Sequence, residues 1–292
     1  MVSYLLGNYM VEKGLMTKEQ LQYVICIQEK IRVKLGLIAV SEGLLTLEQA
    51  DAINRRQQAM DKRFGDIAVE EGYLTELQVQ NLLKLQGNEY LTFVQTLVDE
   101  GIVAMGDIQT ILKEYQSENG FTNTEMELIK SGDAEKIAPL FVPKGAEEYQ
   151  EAVIIALKTF VRCIDRQAYP MYGKLVNEAE LEMPVTQELD GTEYWKIGVS
   201  DIDDGLCVIA SIFAKENYSE VNEDVQDAVG EFVNCINGLF ATAKSANNIT
   251  LELQPPALGK SGFISGTDIL VMPFGFSNVT VNFIVTNKKG WR

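Results

Sequence analysis

The sequence predicts two domains, an all-α N-terminal domain of helical-hairpin repeats and an α+β C-terminal domain with helices on an antiparallel sheet. Three observations predict this. Glycines recur at a fixed step through the first 120 residues. A segment rich in Gly, Pro, Asn and Ser then interrupts the pattern. Beyond it, apolar residues recur in strand-like runs separated by two helical stretches.

Gly14, Gly43, Gly72 and Gly101 stand 29 residues apart, and Gly7, Gly36 and Gly65 keep the same step. Val11, Val40, Val69 and Val98 follow it, as do Thr17, Thr46 and Thr75. A period of this length marks a repeat architecture. In each unit a short amphipathic stretch such as FGDIAVEEG ends on a glycine, which suits a left-handed C-cap. The threonine that follows has glutamine three residues on (Gln20, Gln49, Gln78), the Thr-x-x-Gln capping box of a second helix. Gln28, Gln57 and Gln86 close three units. The fourth unit has Val94 for glycine and Ala104 for threonine, as terminal repeats often do. The repeat domain is set at 1–119, a linker at 120–146 around Pro139, Pro143 and Gly145, and the second domain at 147–292.

The second domain opens with a helix, EEYQEAVIIALKTFVRCIDRQ. Strand-like runs follow: AELEMPVTQEL, EYWKIGVSDI and GLCVIASIF, the last two joined by DDG, a hairpin-turn signal. A second helix is predicted over 223–245, with Asn222 as N-cap and Glu223 and Asp224 in its first turn. ITLELQ, DILVMPFGF and NVTVNFIVT complete the strands.

The chain has 292 residues and a net charge of −17, which speaks against nucleic acid and against anionic membrane surfaces as partners. Its longest apolar runs are too short to span a bilayer. The opening MVSYLLGNYMVEKG has neither the basic start nor the sustained apolar run of a signal peptide, so a cytoplasmic location is expected. Histidine is absent, which removes His-based triads, His-ligated zinc and His phosphotransfer. The four cysteines, Cys26, Cys163, Cys207 and Cys235, form no C-x-x-C pair and read as small buried apolar residues, with no metal site expected. GKS at 259–261 lacks the upstream glycine of a phosphate loop, since Gln254 stands there, and a strand is expected after it.

The helix DAVGEFVNCINGLF carries the candidate chemistry. Val225, Val229, Phe232, Ile236 and Phe240 form its apolar stripe. Asp227, Glu231, Asn234 and Gly238 line the opposite face. Glu-x-x-Asn by itself occurs by chance about once in a chain of this length. The longer order of Gly230, Glu231, Asn234 and Gly238, then a strand, Pro255, Pro256, Ser261 and Gly262, resembles the CheX, CheC and FliY family of chemotaxis phosphatases, most closely the CheX type. The resemblance spans about 147–292. It implies one Glu-x-x-Asn site per chain and hydrolysis of the phospho-aspartate of a CheY-like response regulator. Asn234 would aim a water, Glu231 would pair with the receiver's lysine, and Gly230 and Gly238 would allow close approach. The chain would need no cofactor of its own, Mg²⁺ residing on the receiver, and homodimers through the sheet are typical of the type. A degenerate member acting as a non-catalytic adaptor is the alternative.

The repeat unit resembles the MshE-type N-terminal domain of type II secretion and pilus-assembly ATPases. Some such domains bind cyclic di-GMP, for which a cation and backbone N–H groups must meet the phosphates. The resemblance places Lys34, Gly36, Gln57, Arg63, Gly65 and Gln86 at that site. The other reading of these residues is surface bases and helix-packing glycines in a protein-docking module.

Overall fold

The computed structural model describes residues 1–28, 30–60 and 62–291, the side chains of Gln58 and Ala59 excepted. Contacts divide the chain into two compact units, 2–132 and 133–292, with Met1 counted in the second.

The first unit is helical: α1 (Val2–Glu12), α2 (Lys18–Gln28), α3 (Leu35–Ser41), α4 (Leu47–Ala59), α5 (Phe64–Glu70), α6 (Glu76–Lys84), α7 (Glu89–Asp99), α8 (Ile108–Asn119) and α9 (Asn123–Ser131). Gly14, Gly43, Gly72 and Gly101 take φ of 69°, 67°, 71° and 65°, the left-handed turn that stops each odd helix. Thr46 and Thr75 make reciprocal capping boxes with Gln49 and Gln78, and Thr17 exchanges the same two bonds with Gln20. In the fourth unit Ala104 has no hydroxyl to cap with. The repeat would start α8 at residue 105 (76 plus 29), yet it starts at Ile108.

The expected linker is folded. Thr122 caps α9 through a box with Glu125, and Met126 and Ile129 are buried. The division falls between Gly132, itself left-handed at φ 69°, and Asp133. Ile137, Ala138 and Phe141, beyond it, are buried in the second unit. Glycines and prolines here punctuate short helices rather than mark a loose tether.

The second unit begins with α10 (Ala134–Ile137) and α11 (Gln150–Cys163). Then come β1 (Tyr169–Pro170), β2 (Lys174–Gly191) and β3 (Tyr194–Asp201). Next are α12 (Gly205–Ala214) and α13 (Glu223–Ser245), followed by β4 (Leu251–Leu253), β5 (Ala257–Leu258), β6 (Gly262–Phe276) and β7 (Val279–Thr286). All pairings are antiparallel, in the order β1-β6-β7-β3-β2-β4, with β5 also on β2. β2 is divided between two partners. Its first half pairs with β6, Lys174 opposite Val271, and its second half with β3, Leu189 opposite Trp195. The strand bends between them at a bulge, where Met183 has φ 43° and precedes Pro184. The Met183 N–H donates to Ser261 Oγ at 3.2 Å and the Gly259 N–H to the Pro184 carbonyl at 2.7 Å, so the GKSG segment braces this bend.

One sequence reading is corrected. GLCVIASIF is not a strand after a hairpin turn but the helix α12. A short continuous apolar run does not distinguish a buried strand from a buried helix. Asp201 Oδ1 accepts the Leu206 N–H at 3.1 Å and so starts the helix. A Cβ on Gly205 would lie 2.5 Å from Val281 Cγ1, so only glycine lets this helix start against β7.

The core of this unit is aromatic. Phe160 of α11 lies edge-on to Phe232 of α13 and to Phe274 of β6, with ring centroids 4.9 Å and 5.4 Å away. Trp195 of β3 meets Phe240 of α13 at 4.9 Å. These contacts seat α13 on the sheet.

Candidate functional site

α13 runs as predicted from its Asn222 cap, whose Oδ1 accepts the Val225 N–H at 2.9 Å. Val225, Val229, Phe232, Val233, Ile236 and Phe240 are buried, which turns Asp227, Glu231 and Cys235 to solvent. Asn234 and Gly238 lie half-buried beside them. Glu231, Asn234 and Gly238, at i, i+3 and i+7, share one face. Glu231 has no hydrogen-bond or ion-pair partner among the described residues, so its carboxylate is available to an incoming cation.

The two helix glycines separate in role. A Cβ on Gly230 would meet Pro256 Cβ at 3.3 Å. The close approach expected there is made within the chain, by the second proline of the Pro255-Pro256 pair, and Gly230 is buried. A Cβ on Gly238 would meet nothing within 4 Å. That side of the helix is open at Gly238.

Asn234 is held from below by residues the sequence reading did not single out. Its Oδ1 accepts from Gln187 Nε2 at 2.8 Å. The same Nε2 donates to the Gln254 carbonyl at 2.7 Å, and Gln187 Oε1 accepts from Asn237 Nδ2 at 2.9 Å. Gln187 is 2% and Asn237 0% exposed, so both amides are core residues. Asn237 Oδ1 is buried without a partner among the described residues, a cost of about 1–3 kcal/mol. A signal was present: strand alternation puts Gln187 on the inward face between Val185 and Leu189, where an amide is out of place.

Cys235 neighbours Asn234 and is exposed, as is Cys26, while Cys163 is half-buried and Cys207 buried. The expectation of four buried cysteines fails because positions 26 and 235 face outward on α2 and α13. Burial of the sulfur, then Cys163 and Glu231, push the Cys235 thiol up, against Arg162. No group of three or more Cys, Asp or Glu side chains among the described residues is placed to hold a metal ion. No helix among them is long and apolar enough to cross a membrane.

In the first unit a cleft of about 660 Å³ gathers Lys34, Gly36, Gln57 and Gln86, together with Arg32, Asn54 and Phe64. Gln86 Nε2 donates to the Val33 carbonyl at 2.9 Å, and Lys34 Nζ pairs with Asp99 at 2.7 Å. Arg63 and Gly65 do not line the cleft. Arg63 is exposed at the start of α5, and a Cβ on Gly65 would lie 2.8 Å from Val79 Cγ1. A Cβ on Gly36 would lie 3.0 Å from the Phe64 ring. Both glycines thus serve helix packing inside the unit.

Against known proteins, no curated protein matches the chain. Among solved structures, the chemotaxis protein CheX of Desulfovibrio desulfuricans is similar at 18% identity, over 49% of this chain and 99% of that one, with a TM-score of 0.43. CheX of Vibrio vulnificus is similar at 15% identity, over 46% and 95%, with a TM-score of 0.41. The CheX–CheY–BeF3–Mg²⁺ complex of Borrelia burgdorferi is similar at 18% identity, over 47% and 94%, with a TM-score of 0.40. The family model of the chemotaxis phosphatase CheX matches residues 187–274, a span that runs from Gln187 on β2 through the whole of α13 to Phe274 on β6.

Proposed function

We propose that the second unit hydrolyses the phospho-aspartate of a CheY-like response regulator, with Asn234 and Glu231 as its site residues. The observation that carries this is the half-exposed Asn234 amide, held by buried partners beside a free Glu231, inside the span that matches the CheX family. An aspartyl phosphate is already activated. Catalysis then needs chiefly a water aimed in line and a docked receiver. Asn234 orients that water through a hydrogen bond, as an amide does in some GTPases. Glu231 pairs with the lysine of the receiver and fixes the helix over the acyl phosphate. Gly238 leaves the room in which the receiver settles. Mg²⁺ on the receiver supplies charge neutralisation of the phosphoryl oxygens. The absence of histidine is no obstacle, because orientation and not proton abstraction is the task.

The test is phosphate release from receivers charged with acetyl phosphate. Wild-type protein accelerates release from its cognate receiver, and Asn234→Ala removes that acceleration while the fold, read by circular dichroism, is kept. No acceleration of any receiver from the source organism sinks the proposal. Receiver binding that Asn234→Ala leaves intact, without hydrolysis by wild type, points instead to a non-catalytic adaptor. Self-association through the sheet of this unit is a further expectation of the CheX type, readable by sedimentation.

The first unit is then a docking or regulatory module. The cleft that gathers Lys34, Gly36, Gln57 and Gln86 favours cyclic di-GMP as a second reading for it. Arg32 takes the place expected of Arg63 there. Calorimetry with cyclic di-GMP tests this, and no heat with the full chain removes it.

A further inference from the structure

We propose that Gln187 is a positioning residue that fixes which end of the Asn234 amide faces the receiver, and that the Gln254 carbonyl sets the sense. The proposal deepens the phosphatase reading and rests on it. The argument is one of hydrogen-bond polarity. A backbone carbonyl only accepts, so the Gln187 atom 2.7 Å from the Gln254 oxygen must be the nitrogen. That same nitrogen lies 2.8 Å from Asn234, so the Asn234 atom facing inward must be Oδ1. Gln187 Oε1 is then turned to Asn237, which must offer Nδ2, 2.9 Å away. One carbonyl therefore determines the orientation of three side-chain amides. Asn234 is left with Nδ2 facing outward, and it has no other partner among the described residues.

The carbonyl is itself fixed. The Gln254 N–H donates to the Glu188 carbonyl at 2.9 Å, and the residue before a proline is restricted to extended backbone. Pro255 and Pro256 follow, and Pro256 is packed on Gly230 of α13. The Pro-Pro pair thus serves the site by holding the acceptor that orients Gln187.

This orientation specifies the chemistry. A water that accepts an N–H from Asn234 Nδ2 uses one lone pair and keeps the other for phosphorus. The bond between water oxygen and phosphorus forms as the bond from phosphorus to the receiver's aspartate oxygen breaks. The aspartate leaves as a carboxylate with the bond electrons, and the proton lost by the water passes to the phosphate product or solvent. Asn234 takes no proton at any stage.

Two variants and one direct measurement test the assignment. In Gln187→Met the length is kept and the polarity lost, which frees the Asn234 amide to turn. In Gln187→Glu, assayed at a pH high enough to ionise the new carboxyl, the side chain can only accept, which turns Nδ2 inward. Both are expected to lower kcat for phosphate release about 10-fold or more, as misplacement of a reacting group does, with KM for the charged receiver held within about twofold. Unchanged kcat in a folded Gln187→Met chain overturns the proposal, as does a parallel loss of kcat and receiver affinity that tracks a lowered Tm. The direct measurement is side-chain amide NMR of the full-length wild-type chain, with Asn234 assigned by its loss in Asn234→Asp. The Asn234 NH₂ should exchange with water faster than the Gln187 NH₂ and shift on adding beryllofluoride-charged receiver. The opposite order of exchange overturns the proposal even if every variant unfolds. Exchange needs no turnover, so a chain that dephosphorylates nothing refutes the phosphatase reading while the amide orientation is still decided.

Discussion

Gly238→Ala should make the protein more stable and, on the proposed function, slower at releasing phosphate from a charged receiver. Glycine in a helix interior costs about 0.8–1.0 kcal/mol relative to alanine, and α13 bears that cost in its middle. Nothing among the described residues recovers it, because an added Cβ finds no atom within 4 Å and so meets no clash. The hydrogen bond from Thr242 Oγ1 to the Gly238 carbonyl, at 2.8 Å, uses the backbone and survives the change. The whole propensity difference should therefore appear as stability, a rise in Tm of about 2–4 °C for a unit of this size. Gly230→Ala is the control on the same helix. There the new methyl meets Pro256 at 3.3 Å, so the gain in propensity is cancelled or reversed. Thermal unfolding followed by circular dichroism reads both. If a receiver settles over Gly238 as proposed, phosphate release from a charged receiver should fall several-fold in Gly238→Ala, because the methyl stands in that space. Stabilisation with undiminished release would refute the reasoning, since the glycine would then serve neither the chain nor its partner. No stabilisation at all would show that Gly238 has a role within the fold.

Two further outcomes are expected. Thr75→Ala removes the hydroxyl half of a capping box and should cost the first unit about 1 kcal/mol, read by urea denaturation, with phosphate release from an isolated receiver unaffected at saturating concentration. Asp201, 8% exposed, has its carboxyl pushed up chiefly by burial, against the Leu206 N–H that lowers it. A pKa raised in the folded state contributes stability that is full below the unfolded value, about 3.9, and is lost as pH rises through the folded value. The stability of Asp201→Asn relative to wild type should therefore improve as pH rises above about 4, and a pH-independent difference excludes the burial effect.

What was legible in the sequence was what short-range rules decide. A glycine stop and a Thr-x-x-Gln box act over three or four residues, so Gly43, Thr46 and Gln49 announce their turn without any knowledge of the fold. Asn222 announces α13 in the same way. The positions of Glu231 and Asn234 on one helix face follow from periodicity alone. The misreadings have the opposite cause. GLCVIASIF is apolar throughout, and only its burial between α13 and β7 decides for helix. Residues 120–146 hold the turn formers of a linker, yet Met126, Ile129 and Phe141 find cores to enter. Gly230 looked like a docking glycine because Pro256, which fills it, lies 26 residues on. Gln187 carries no short-range signal of its role, because its meaning depends on Asn234, 47 residues away.

The amide cluster also bears on how the protein comes to work. Its bonds close over 47, 50 and 67 residues of chain, joining β2, α13 and the segment after β4. Closing such loops is entropically slow, in contrast to caps that close over three residues. No fragment or partly folded form can hold the Asn234 amide in place, because its orientation exists only once three distant segments are assembled. A newly made chain that has already formed its repeats would have no site until the last of these closures. The proposed phosphatase activity would then mark completion of the topology rather than the acquisition of helix content.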